Sequence, residues 1–221
     1  MSGADTADPR LSPELRSLVR VSAAIGLGAP GVLDEALAGS RRNADPDRVE
    51  EVLVQSYLFV GFPRALAALA RWRNLSDRDP PAAHEDDCRT RGDRGEACCR
   101  RVYGEQYSAL RRNIAHLHPD MDRWMVEEGY GKVLARDGLP LGERELCIAA
   151  LLAALPAPVQ LYSHLRGALE VGVDRERVGA MVATVATMLP RESREEFESA
   201  WEEIRERRRD RGFRPGTEQG E

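Results

Sequence analysis

No stretch of this 221-residue chain alternates apolar and polar residues as a half-buried strand must, whereas apolar residues recur at helical spacing along most of it. That feature restricts the fold to the all-α class. The helix starts are also legible. Ser12-Pro13-Glu14 supplies a hydroxyl N-cap, a proline in the first turn and an early acid. Leu15, Leu18, Val19, Ser22 and Ile25 follow on one face, and Gly26-Leu27-Gly28 ends the run. A short helix is expected from Pro30 to Ser40. Asp45-Pro46 starts another, with Val49, Val52, Leu53, Ser56, Tyr57 and Val60 along one side. Gly61-Phe62-Pro63 breaks it, and Arg64 to Arg73 continues as helix.

Asn74 to Gly95 is rich in Asp, Arg and Pro and reads as a linker. Helix resumes near Glu96 and runs to about His116, carrying Val102, Tyr107, Leu110 and Ile114. Pro119 starts the next, with Met121, Trp124, Met125 and Val133. After the turn Asp137-Gly138-Leu139-Pro140, helices are expected over 142–155, 158–171, 174–189 and 192–209. The two halves repeat one another. Arg16 lies 128 residues before Arg144, each opening an Ala-rich helix; Ala36-Leu37 matches Ala168-Leu169; Asp45 with Val49 matches Asp174 with Val178. The expected division is a flexible tail over 1–11, a first repeat over 12–75, a linker over 76–95, a second repeat over 96–209 and a flexible tail over 210–221.

Composition excludes some functions. A net charge of −5 leaves no broad basic field for nucleic acid. Met1 to Arg10 is polar, with no apolar signal core, and the best apolar run, Leu146 to Leu155, needs only burial. The expectation is a cytoplasmic chain with no membrane partner. Nothing suggests secretion, so the four cysteines are expected as thiols.

Two residues stand out as chemical. Glu145 shares a helical face with Ile148, Ala149 and Leu152. A carboxylate on an apolar stripe loses hydration, which suits it to proton transfer near neutrality. The plainer role for an acid at a helix start is to complement the dipole. His164 shares its face with Leu161, Ala168 and Val171, and a lone histidine there is more often a satisfied core residue. Adjacent antiparallel helices would bring the two together. The first repeat has Ser17 and roughly Val32 in their places, so the fold does not require the pair. Cys147 reads as a small buried helix residue. His84-Glu85-Asp86-Asp87-Cys88 with Cys98-Cys99 matches no zinc spacing, and no metal is expected. His116-Leu117-His118-Pro119 reads as a helix junction. The basic run from Arg205 to Arg211 sits at a helix C-terminus, where cations suit the dipole.

Three strings carry a resemblance: Gly131-Lys132-Val133-Leu134-Ala135-Arg136-Asp137-Gly138-Leu139, Arg144-Glu145-Leu146-Cys147-Ile148-Ala149-Ala150-Leu151, and Gln160-Leu161-Tyr162-Ser163-His164-Leu165-Arg166-Gly167-Ala168-Leu169. With Val49-Glu50-Glu51-Val52-Leu53, Tyr57 and Gly61-Phe62-Pro63-Arg64-Ala65-Leu66, the chain resembles the carboxymuconolactone decarboxylase family. The resemblance implies the all-α fold of the alkyl hydroperoxidase D-like proteins, a homo-oligomer, a small-molecule substrate and no cofactor. The peroxidase branch of that fold uses a Glu, a Cys-x-x-Cys pair and a His. Glu145 and His164 match its outer positions, but Ala157 and Gln160 stand where the cysteines would be. Thiol peroxidase chemistry needs those thiolates, so the decarboxylase branch is the better match. It implies His164 as proton donor or polariser and Glu145 as its orienting or relay partner. Tyr57, Phe62 and Arg64 complete a composite pocket in this reading, and Arg64, Arg136 and Arg166 are candidates to hold carboxylates, against the plainer role of surface charge or salt bridge. The alternatives are a thiol peroxidase or reductase using Cys147 or Cys98-Cys99, and a non-catalytic oligomeric ligand-binding protein that kept the fold.

Overall fold

The structure, a computed structural model, describes residues 10–83 and 87–209, and every regular element among them is helical. Most of the two expected tails and the string His84-Glu85-Asp86 lie outside the described residues. The first repeat is α1 (Pro13–Leu27), α2 (Pro30–Asn43) and α3 (Pro46–Ser76). The chain between the repeats forms α4 (Arg91–Tyr103) and α5 (Tyr107–Leu117), then α6 (Pro119–Trp124) and a π-helix (Met125–Leu134). The second repeat is α7 (Leu141–Leu152), α8 (Pro158–Glu170) and α9 (Arg175–Ala186), and α10 (Arg191–Arg209) packs on α8 and α9.

Local chemistry sets the ends of these helices. The Ser12 hydroxyl accepts from the Leu15 amide at 3.1 Å, and Gly28 ends α1 with φ of 67°. Asp45 and Asp174 cap α3 and α9 by accepting from Asp47 and Arg177 amides. Gly61, with φ of 73° and ψ of 168°, kinks α3 where the Gly-Phe-Pro break was expected. By length and composition α3 nonetheless holds an 18-residue window of mean hydropathy 1.5, 33% buried, long enough to cross a membrane. This corrects the expectation that no stretch reaches that length, because apolar residues on both sides of the kink count toward one window.

The central helices of the repeats, α1 and α7, pack on each other, and each carries its own repeat's next two helices. Gly26 and Ala154 are 128 residues apart, like Arg16 and Arg144, and they meet. A Cβ at Gly26 would stand 2.4 Å from the Leu151 carbonyl oxygen and 2.9 Å from Ala154 Cβ. Equivalent positions in contact are the mark of a pseudo-twofold axis. Arg16 and Arg144 also reach matching acceptors, Arg16 Nη2 donating to the Leu11 carbonyl at 3.3 Å and Arg144 Nε to that of Leu139 at 3.1 Å. Leu11, read above as tail, is buried as fully as Leu139, because it is the matching residue of the other repeat.

Helix begins earlier than expected, and the residues from 96 on, read above as the start of the second repeat, precede α7, the counterpart of α1. α4 starts at Arg91, inside the expected linker, and Gly104, with φ of 53°, interrupts the single helix expected over 96–116. Two glycines bring α4 against the π-helix. A Cβ at Gly95 would lie 2.0 Å from the Val126 carbonyl oxygen, and one at Gly131 would lie 2.2 Å from that of Arg91. Backbone therefore touches backbone in both directions.

Ion pairs tie the repeats together. Arg48 of α3 bonds both Glu14 of α1 and Glu143 of α7. Arg144 has no solvent exposure; it donates to Glu51 of α3 at 2.7 Å, to Gln55 at 3.2 Å and to the Arg136 carbonyl at 2.9 Å. Arg136 donates to both Glu51 oxygens. Burial pushes the Glu51 carboxyl up, but the bonds and charges of Arg136 and Arg144 outweigh it and hold the group below the ordinary carboxylate range. A depressed carboxyl stabilises the fold fully above the unfolded pKa of about 4.3, and that contribution is lost as pH falls through the lower folded value. Denaturant unfolding across this acid range should show Glu51→Gln less stable than the parent at neutral pH by about 3–5 kcal/mol, with the gap closing toward low pH. A gap independent of pH would contradict the assignment.

Candidate functional site

Glu145 lies in the second turn of α7, immediately after Arg144, and His164 lies in the middle of α8. Their helices pack together, and His164 Nδ1 sits 2.8 Å from Glu145 Oε2. Glu145 is fully buried, and the His164 side chain keeps 7% exposure. With the carboxylate as acceptor, this bond would put the hydrogen on Nδ1 and leave Nε2 as the exchangeable nitrogen. Among the described residues the second carboxylate oxygen, Oε1, is buried without a hydrogen-bond partner. An orphaned acceptor on a buried acid is costly to keep and calls for an explanation.

Neighbours shape the pair. Gly167, one turn beyond His164, leaves room for it: a Cβ there would fall 2.7 Å from both Glu145 Oε2 and Val102 Cγ1. The ring of Phe59, from α3, stands edge-on to His164 with centroids 5.6 Å apart. Tyr103 and Tyr130 pack edge to face at 6.2 Å and share a hydrogen bond. Burial pushes the Tyr103 phenol up to about 12, with the hydrogen bond from Tyr130 opposing and the Glu145 charge adding. Burial, and then Tyr103 and Glu145, raise Tyr130 further. Both phenols therefore stay protonated as hydrogen-bond donors near neutrality.

The thiols are held in the opposite state from catalytic ones. Burial, with Glu145 next, pushes Cys98 up to about 11. Burial, with Cys98 next, takes Cys99 to about 12, and burial takes Cys147 to about 12 against a bond from Ser22. Reactive cysteines need the reverse shift. Among the described residues no three His, Cys, Asp or Glu side chains gather as metal ligands.

The first repeat has no such pair. The Ser17 hydroxyl donates to its own helix at Pro13, and Val32 is partly exposed. The other candidates fall in several places. Tyr57 and Phe62 stack on each other at 4.9 Å, with Phe62 largely exposed, and it is Phe59 from the same helix that reaches His164. Arg64 closes the C-terminus of α1, donating to Gly26 and Ile25 carbonyls. Arg136 is bound to Glu51. Arg166 lines a cleft of about 260 Å³ together with Tyr103, one of the site residues the sequence did not point to. Tyr103 and Tyr130 were hidden because helical spacing within each segment carries no sign of which segments meet. Gly167 alone had a local signal, a glycine inside a helix.

An all-helical pair of repeats with a buried Glu–His couple in the second defines the class, and sequence comparison agrees. The model of the carboxymuconolactone decarboxylase family matches residues 1–74 and 119–193, and the chain belongs to that family. It is also similar to "Peroxisomal protein 2" of Schizosaccharomyces pombe, with 30% identity over 156 residues, covering 67% of this chain and 71% of that protein. The two matched regions contain the two repeats, and α4 and α5 fall between them.

The burial pattern predicts thiol reactivity. Cys88 is exposed, and Cys98, Cys99 and Cys147 are buried. Titration of the folded protein with a thiol-specific disulfide reagent should find one fast thiol, with the other three appearing only on denaturation. Two or more fast thiols would contradict the packing of α4.

Proposed function

We propose that Glu145 and His164 form a cofactor-independent proton-transfer site that decarboxylates a small carboxylated lactone or a related acid. The observation that carries this reading is the buried 2.8 Å Glu145–His164 bond, present in one repeat only and leaving a carboxylate oxygen unpartnered. A pair kept purely for packing would appear where packing is shared, and the matching positions hold Ser17 and Val32 instead.

The chemistry follows from the donor set. Loss of CO2 leaves the electron pair of the broken carbon–carbon bond in the conjugated system of the lactone, as a dienolate. The oxyanion needs a hydrogen-bond donor, and the carbanionic carbon needs a proton. His164, protonated at both nitrogens, gives the Nε2 proton to carbon, and Glu145 balances the imidazolium charge before transfer. The neutral imidazole then regains a proton from water. No electron acceptor enters the balance.

One other reading receives less support: thiol peroxidase chemistry is opposed by the raised pKa of all three buried cysteines. The cleft of about 260 Å³ is lined by Tyr103 and by neither Glu145 nor His164, an arrangement that a non-catalytic ligand-binding protein would share.

Release of CO2 from a carboxylated unsaturated lactone is the test. The parent should release it, and Glu145→Gln and His164→Ala should each slow release by about 100-fold or more while folding is retained. No release by the folded parent, or release indifferent to both changes, would overturn the reading.

A further inference from the structure

The cleft of about 260 Å³ lies between the inter-repeat segment and α8. Its walls are mixed: Val102 and Leu110 on one side and Val159 and Tyr162 on the other, interspersed with the polar Gln106, Asn113 and Ser163. Arg166 enters it half-buried, and among the described residues it makes no hydrogen bond or ion pair. The fork geometry of a partly desolvated guanidinium fits a carboxylate or phosphate. Glu170 also borders the cleft, and its charge works against a ligand with a second anionic group.

Val102 links the cleft to the neighbourhood of the buried pair: its Cγ1 and Glu145 Oε2 each lie 2.7 Å from the point where a Cβ on Gly167 would sit. Tyr103 borders the cleft and packs on Tyr130 at its other side. The wall built from α4 and α5 falls outside both regions matched by the family model. The cleft of about 260 Å³ is slightly smaller than the usual ligand pocket, which starts near about 300 Å³, and so suits a small ligand.

We propose that this cleft binds a small monocarboxylic acid with an apolar or aromatic body, its carboxylate paired with Arg166, and that the α4–α5 wall selects it. Binding stands on the cleft alone; only the fate of the bound acid rests on the Glu145–His164 reading.

Benzoate is the probe, and benzamide is its uncharged counterpart of the same shape. Calorimetric titration of the full chain should show saturable benzoate binding, with benzamide weaker by about tenfold or more. Arg166→Met, which keeps the aliphatic stem, should weaken benzoate by about tenfold and leave benzamide unchanged. Leu110→Trp, filling the cleft from the opposite wall, should weaken both and checks the site independently of Arg166. Absence of saturable benzoate binding, or binding that ignores both substitutions, overturns the proposal. Lactone turnover without saturable benzoate binding overturns it and leaves the catalytic reading standing. Arg166-dependent benzoate binding without lactone turnover does the reverse.

Discussion

Arg144 has no contact with solvent, and most of the architecture is arranged around satisfying it. A buried guanidinium without partners would cost several kcal/mol. Here its donors meet Glu51 and Gln55 from the first repeat and the Leu139 and Arg136 carbonyls from the turn before its own helix. Those bonds fix α7 against α3 and set the rotation of α7 about its axis. The next residue is Glu145. Its side chain therefore points away from the ion network, into the space where α8 presents His164. The same anchoring that joins the repeats aims the carboxylate.

The repeats are alike where they support each other and different at the proposed site. Arg16 and Arg144 each donate back to a leucine carbonyl, and Gly26 meets Ala154 across the pseudo-axis. Glu51 has Ala180 in the corresponding place, 129 residues on, so the ion pair crosses between repeats in one direction only. Glu145 and His164 likewise have no ionisable counterparts, Ser17 and Val32 standing in their places, while the first repeat supplies Phe59 to His164 and Glu51 to Arg144.

Much of this was legible in the sequence, and for local reasons. Ser12-Pro13, Asp45-Pro46 and Asp174 cap the helices they were expected to start, because capping involves only neighbouring atoms. Glu145 and His164 were selected as polar residues on apolar faces, a signal that survives without knowledge of the fold. The inter-repeat segment was harder. Its first part, to Gly95, read as a linker from its charges and prolines, with helix expected from Glu96; that Gly95 and Gly131 let α4 lie on the π-helix at backbone contact is a long-range fit with no periodic trace. Tyr103 and Tyr130, on those two elements, were missed for the same reason. Leu11 escaped because its role appears only when its carbonyl is seen to accept from Arg16.

The geometry of the buried pair is most directly tested by nitrogen NMR of the His164 imidazole at mildly alkaline pH, with the signal assigned by its loss in His164→Ala. The account predicts the tautomer with hydrogen on Nδ1, and a shift toward a mixture in Glu145→Gln. Hydrogen on Nε2 in the parent, or a His164 signal unchanged by Glu145→Gln, would contradict it.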